Sequence, residues 1–112
     1  GVPQQERLFR EVTERTGAPP PVVDSDRILE NPPVMLERLC KALGIDWNPA
    51  MLHWTPGPKP EDGAWAPHWY DAVWKSSGFG SPSGPAPVLE GEAAAIEKEA
   101  LASYERLLEY HV

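Results

Sequence analysis

Strand-forming sequence is scarce in this chain, and that scarcity limits its fold more than any other feature. Only Val22-Val23 has the β-branched character of a short buried strand. The pair follows Pro19–Pro21, and each proline biases the residue before it away from helical angles. The sequence therefore predicts a mostly α-helical chain with one short strand near residues 21–24. One strand cannot complete a sheet, so we expect an edge that stays exposed or pairs with a missing segment or another chain.

Three longer segments have the periodicity of amphipathic helices. The first covers residues 3–16 and ends before Gly17, and the second covers residues 31–44, with Asn31 as N-cap and Gly44 as the stop. The third runs over residues 89–110. The second helix is expected to bury Leu36, Leu39, Cys40 and Leu43, with Met35 at the edge of that stripe. The residues that recur at helical spacing along the third helix and just beyond it are Ile96, Ala100, Tyr104, Leu107 and His111.

The acidic segment Asp24-Ser25-Asp26 has two interpretations. Its carboxylates are candidates for a metal or catalytic site. Short polar side chains also bond to nearby backbone groups, which makes the segment a turn and a cap for a short helix over residues 27–29. We favour the turn and cap.

Aromatic residues concentrate in Met51–Phe79, which holds four of the five tryptophans. Its prolines predict an irregular loop over residues 53–67, after which Pro67 opens a short helix through about Lys75. Large amphipathic rings serve both cores and binding surfaces. Trp65, Trp69 and Trp74 therefore either pin the loop onto the helices or contact a ligand. A linker rich in Gly, Ser and Pro follows over residues 80–87.

Charge and composition exclude several classes of partner. The formal net charge is −7 and the basic residues are not clustered, so we expect no nucleic acid and no membrane as partner. Cys40 is the only cysteine, which excludes an internal disulfide and favours a cytoplasmic setting. At 112 residues the chain is at most one domain, and its start at Gly1 without methionine favours a piece of a longer protein.

Three motifs together resemble a known family: PPPVVDSDRILENPPVMLERLCKALGIDWNPAML, then W-x-P-G-P-K-P-E-D-G-A-W-A-P-H-W-Y-x-x-V-x-x-S-S-G-F, then YERLLEYH. They are similar to the C-terminal half of bacterial and plant sulfotransferase-like proteins, a group also labelled branched-chain aminotransferase-like or hydrolase. The resemblance covers almost the whole chain. It implies a P-loop α/β family fold, of which residues 1–112 would be a single C-terminal portion.

The resemblance also implies a function. Such a protein transfers a sulfuryl group from a sulfonucleotide, PAPS, to a hydroxyl or amine acceptor, without a metal. The Gly-rich phosphate loop and the general base of this fold lie in its N-terminal half and have no counterpart in this sequence. We therefore expect no activity from this chain alone and a missing N-terminal half as its partner. Aminotransferase chemistry is discounted, because no lysine here has the context of a Schiff base.

The candidate binding residues lie in the second motif: His68, Trp69, Lys75, Ser76 and Ser77. The Lys75 charge and the serine hydroxyls suit an anion, and an adenine or aromatic acceptor can stack on Trp65 or Trp69. The alternative is a non-catalytic binding or interaction module that uses the Trp-rich loop. We predict no metal site, since His53, His68 and Asp62 lack the short spacing of zinc ligands.

Overall fold

The computed structural model describes residues 1–112 and is mostly helical, as predicted. Six α-helices and one 3₁₀ helix, which we call η1, account for its regular structure. In chain order they are α1 (Val2–Thr16), α2 (Ser25–Glu30), α3 (Pro32–Leu43), η1 (Pro49–Leu52), α4 (Ala66–Trp69), α5 (Asp71–Lys75) and α6 (Gly91–Leu108).

The two longest helices, α1 and α6, pack against each other although they lie at opposite ends of the chain. The rings of Phe9 and Tyr110 approach to 4.7 Å between centroids, and Leu107 is buried beside them. Arg106 donates two hydrogen bonds to the carboxylate of Glu6, each 2.8 Å long. Apolar contact and a bidentate ion pair therefore fix this helix pair together.

The predicted strand near residues 21–24 is wrong, because the structure forms only an isolated parallel bridge between Val22 and His111. The Val22 N–H donates to the Tyr110 carbonyl at 3.4 Å, and the Val112 N–H donates to the Val22 carbonyl at 3.1 Å. Pro19–Pro21 on one side have no N–H to donate, and α2 begins at Ser25 on the other side. In this short stretch only Val22 forms a bridge, and it pairs within the chain.

Side-chain caps form α2 and α3, as the sequence indicates. Asp24 accepts a hydrogen bond from the Arg27 N–H at 3.0 Å, and Asn31 accepts one from the Val34 N–H at 3.4 Å. The interpretation of Asp24-Ser25-Asp26 as a turn and cap is therefore confirmed.

The buried face of α3 differs from the predicted one. Met35 and Cys40 are buried, whereas Leu43 is 52% exposed. The reason is that α3 packs against α2 and η1, where the Cys40 sulfur lies 3.9 Å from the sulfur of Met51. Cys40 thus serves as a core residue.

Two further helix predictions need correction. The single helix expected from Pro67 to Lys75 is divided into α4 and α5 at Tyr70, which lies between them. In α6, Ser103 and Leu107 are buried, whereas Ile96 is 61% exposed. Near the end of α6, Arg106 bonds to Glu6 of α1 and Leu107 is buried, whereas Ile96, nearer the start of the helix, faces solvent.

The core is small for a chain of this length. Only Met35, Cys40, Ala66, Ser103 and Leu107 are buried. The accessible surface is 8709 Å², against about 6,100 Å² expected for a compact protein of this mass. The Cα radius of gyration is 16.8 Å, against about 13 Å for a compact domain. Much apolar surface therefore faces solvent in this chain.

None of the helices is both long and apolar enough to cross a membrane.

Candidate functional site

An open cleft of about 630 Å³ lies between the first turn of α3, the end of η1 and the segment 75–79. The residues that line it are Pro32, Pro33, Leu52, His53, Lys75, Ser76, Ser77, Gly78 and Phe79. The cleft brings the consecutive residues Lys75, Ser76 and Ser77 together with His53, which is distant from them in the sequence.

Backbone pairing holds two walls of this cleft together. His53 and Gly78 form an antiparallel bridge, and the Trp54 N–H donates to the Ser77 carbonyl at 3.1 Å. A Cβ at position 78 would lie 3.1 Å from the Leu52 carbonyl oxygen, closer than such atoms normally come. Glycine at position 78 therefore permits this close approach.

The Trp54 side chain fixes the same wall a second time. Its indole N–H donates to the Ser76 hydroxyl at 2.9 Å. Its ring meets Phe79 edge to face, with 5.5 Å between centroids. Backbone and side chain of one tryptophan thus position residues 76–79.

Trp74 holds the proline-rich loop. Its indole N–H and the Lys59 backbone N–H both donate to Asp62 Oδ2, each at 2.8 Å. The Lys59 bond and then the Trp74 bond lower the pKa of Asp62, so the carboxylate stays ionised. The Gly57 N–H donates to the Trp74 carbonyl at 2.7 Å, with Gly57 at φ 104°, a conformation that favours glycine. Of the three tryptophans proposed to pin this loop, Trp74 does so.

Trp65 and Trp69 are not anchors, since they are 74% and 76% exposed. The Trp65 ring lies 6.1 Å from the His68 ring, between centroids, and both residues are at the surface. Neither His68 nor Trp69 lines the cleft. The five candidate residues are therefore divided, with Lys75, Ser76 and Ser77 in the cleft and the other two outside it.

The polar groups of the cleft differ in how free they are. Ser76 donates its hydroxyl to the Val73 carbonyl at 2.7 Å and accepts from Trp54, so it is engaged. Lys75 Nζ lies 2.6 Å from Asp71, but both side chains are more than 70% exposed, and such pairs are weak. Ser77 has no side-chain hydrogen bond. Lys75 and Ser77 are therefore the groups available to bind an anion or a hydroxyl.

His53 and Trp54 are site residues that the sequence reasoning did not select. His53 lines the cleft beside Gly78, to which it is bridged, and Trp54 bonds to Ser76 of the same wall. Trp54 is the first residue of the second motif, and that position could have led to its selection from the sequence. The pairing of residues 53–54 with residues 76–78 carries no periodic pattern, so spacing alone could not find it.

Asp62, one of the residues weighed as a metal ligand, has other partners in the structure. Asp62 Oδ2 is already engaged by Trp74 and Lys59. No group of three or more His, Cys, Asp or Glu side chains in the chain is arranged to hold a metal ion.

Comparison with known proteins places most of the chain in one family. Residues 10–108 match the family model described as a sulfotransferase domain. Two curated relatives from Arabidopsis thaliana are similar over 66 residues: branched-chain-amino-acid aminotransferase-like protein 2 at 47% identity and protein 1 at 48%. The matched part covers 59% of this chain and spans only 12% of each relative's length. No solved structure matches.

Proposed function

Because this chain belongs to the sulfotransferase domain family, we propose that it is part of an enzyme that transfers a sulfuryl group from PAPS to a hydroxyl or amine acceptor. The match over residues 10–108 is the observation that carries this proposal. The aminotransferase-like names of the two relatives do not alter it. The only lysine in the cleft, Lys75, is exposed and paired with Asp71, which is not the setting of a Schiff-base lysine.

The residues of the cleft do not fit the phosphate groups of a sulfonucleotide. Phosphates are commonly bound by several backbone N–H groups at a helix N-terminus, or by unpaired cations. The cleft offers a single ammonium group, that of Lys75, the imidazole of His53 and one hydroxyl without a side-chain hydrogen bond, that of Ser77. We therefore propose that the phosphates of the donor bind to polypeptide outside residues 1–112, and that this polypeptide supplies the P-loop α/β part of the fold.

The role of this chain is to provide a wall of the acceptor site. We propose that Lys75 and Ser77 contact the acceptor or the transferred group, and that Ser76 and Trp54 hold them in place. His68 and Trp69 lie outside the cleft and are not assigned to it. An ammonium group and a hydroxyl donate hydrogen bonds to the oxygens of a sulfuryl group, and such charge-assisted bonds are among the stronger ones.

The small core supports the proposal that further polypeptide completes the protein. Seventeen large apolar residues remain exposed in a chain with five buried residues. Exposed apolar surface on this scale is typical of an interaction face. We propose that the chain packs on the missing N-terminal half and has no activity alone. We propose a reducing, cytoplasmic setting, because Cys40 is the only cysteine in the chain.

The test is a transfer assay with the full-length protein that contains this chain. Incubation with ³⁵S-labelled PAPS and a panel of phenols, alcohols and amines is expected to give a labelled product that depends on both donor and acceptor. The purified 112-residue chain is the matched control and is expected to give none. No labelled product from the full-length protein with any acceptor, or turnover by the isolated chain, would contradict the proposal.

A second function, a non-catalytic binding module, is favoured by one observation. Trp65 and Trp69 present two exposed indoles four residues apart, a pairing more typical of a binding surface than of a solvent face. This function predicts binding without turnover. Loss of that binding in Trp65→Ala and Trp69→Ala, with no labelled product in the assay above, would favour it.

A further inference from the structure

The cleft that holds Lys75 and Ser77 has no carboxylate in its lining. The chain as a whole has 17 Asp and Glu residues against 10 Lys and Arg residues, so the cleft departs from the acidic character of the chain. The other titratable group of the lining, His53, is neutral or cationic and adds no negative charge. The cleft therefore presents positive charge to a ligand that enters it.

The pair with Asp71 leaves Lys75 able to bind a ligand. Asp71 lies one helical turn before Lys75 and outside the lining of the cleft. Both side chains are more than 70% exposed, and exposed pairs at this spacing are weak. The ammonium group has three N–H donors, and its one hydrogen bond in the structure is that to Asp71. Donors of Lys75 therefore remain for a second anion.

The first turn of α3 adds to the positive potential of the cleft. Pro32 and Pro33 line the cleft at the N-terminal end of this 12-residue helix, where the helix dipole is positive. Neither proline has an N–H, and the Val34 N–H already donates to the side chain of Asn31 at 3.4 Å. The turn thus favours negative charge nearby but offers no N–H groups to bind a phosphate directly.

We propose that the acceptor is a hydroxyl compound that carries a carboxylate, and not an amine. Lys75 and Ser77 donate hydrogen bonds to the carboxylate, and apolar side chains of the lining, among them Leu52 and Phe79, contact the body of the molecule. The inference rests on the proposed function, since it identifies the acceptor of that transfer. It concerns binding of the acceptor and adds no chemical step.

The same lining disfavours an amine acceptor. A protonated amine in the cleft would meet the ammonium group of Lys75, and no carboxylate of the lining would offset the repulsion. The proposed function places the phosphates of the donor outside residues 1–112. The hydroxyl of the acceptor therefore projects from the open side of the cleft, and the opposite end of the acceptor is the one that Lys75 and Ser77 contact.

The experiment measures the binding of three matched phenols to the full-length protein that contains this chain, by calorimetry at fixed ionic strength. 4-Hydroxyphenylacetate carries a carboxylate, 4-hydroxyphenylacetamide has a neutral amide of the same shape in its place, and tyramine carries an ammonium group. The carboxylate is expected to bind about fivefold or more tighter than the amide, the effect of a charge-assisted hydrogen bond in an open cleft. Tyramine is expected to bind more weakly than the amide.

Three variants of the full-length protein decide whether Lys75 causes this preference. In Lys75→Gln the affinities for the carboxylate and the amide are expected to agree within about twofold. Asp71→Asn removes the competing carboxylate and is expected to tighten binding of 4-hydroxyphenylacetate, the opposite of the effect of Lys75→Gln. Lys98→Gln, an equal charge change at an exposed position of α6, is expected to leave the preference within about twofold of the wild type.

Several results would overturn the inference: no saturable binding of 4-hydroxyphenylacetate, equal affinity for the carboxylate and the amide, tighter binding of tyramine, or a preference that persists in Lys75→Gln. None of these measurements requires turnover, so they are separate from the test of the proposed function. Absence of ³⁵S-labelled product with every acceptor would contradict the proposed function. A higher kcat/KM for tyramine than for 4-hydroxyphenylacetate would leave that function standing and overturn the inference.

Discussion

The α1–α6 pair and the segment Met51–Phe79 are held together in different ways. In the helix pair, Leu107 is buried and the Phe9 and Tyr110 rings are in contact. In Met51–Phe79 only Ala66 is buried, although the segment holds four tryptophans. There the indole N–H groups of Trp54 and Trp74 donate hydrogen bonds to Ser76 and Asp62.

This difference explains how an irregular segment can hold a site. Apolar burial is non-directional and stabilises the helix pair as a whole. A hydrogen bond from an indole instead fixes a particular atom, here the hydroxyl of Ser76 on the cleft wall. Function commonly lies on loops that are positioned by rigid supports. Trp54 and Trp74 supply that support without a core.

The largest expected effect lies in the helix pair. Leu107→Ala should lower the free energy of unfolding by about 2–5 kcal/mol, because it opens a cavity at a buried position. Leu101→Ala, on the same helix but 48% exposed, should change it by about 0.5 kcal/mol or less. Urea denaturation of both variants measures the difference, and equal losses would show that α6 is not anchored through Leu107.

A smaller effect is expected from the hydrogen bond that the Trp54 indole donates to Ser76 in the cleft wall. Trp54→Phe keeps an aromatic ring but removes the N–H that donates to Ser76, and should cost about 0.5–1.5 kcal/mol. Trp69→Phe is the matched control, since that residue is 76% exposed, and should cost about 0.5 kcal/mol or less. The same denaturation experiment compares them. A larger loss of unfolding free energy in Trp69→Phe than in Trp54→Phe would contradict the role of Trp54 as the anchor.

The ion pair between α1 and α6 should appear in the pH dependence of stability. Hydrogen bonds from Arg106 lower the pKa of Glu6 from 4.5 to about 2. Because the carboxyl pKa is lowered, the stabilisation that the ion pair contributes is present above pH 4.5 and is lost as the pH falls from there towards 2. As the pH falls from 4.5 to about 2, the melting temperature should therefore decrease less in Glu6→Gln than in the wild type. The control Glu14→Gln should show the same pH dependence of the melting temperature as the wild type. The same dependence in Glu6→Gln would contradict the role given to the ion pair between Glu6 and Arg106.

The fold was predictable where local chemistry decides it. Asn31 and Gly44 mark the ends of α3 in sequence and in structure, because capping depends on the residue itself. The face that a helix buries depends on its neighbours, and for this reason Leu43 and Ile96 were misplaced. Val22 was expected in a strand, but its flanking prolines and the cap of α2 leave it a single bridge.

The candidate site was predictable only in part. Lys75, Ser76 and Ser77 were selected because charged and hydroxyl groups stand together in the sequence, and they line one cleft. His53 escaped selection, since it reaches the cleft through a bridge to Gly78, 25 residues further along the chain. Such long-range pairing has no local signature.

The most direct test of the account is the contribution of Lys75 to substrate binding in the full-length protein. Lys75→Ala should weaken acceptor or donor binding by about 1–3 kcal/mol, the range for a charge-assisted hydrogen bond. Its melting temperature should stay close to the wild-type value, because the side chain is 73% exposed. Lys98→Ala, an exposed lysine on α6, controls for charge. Equilibrium binding of donor and acceptors to both variants is the measurement. Weaker binding in Lys75→Ala alone is the predicted result, and equal affinity in Lys75→Ala and the wild type would contradict the account.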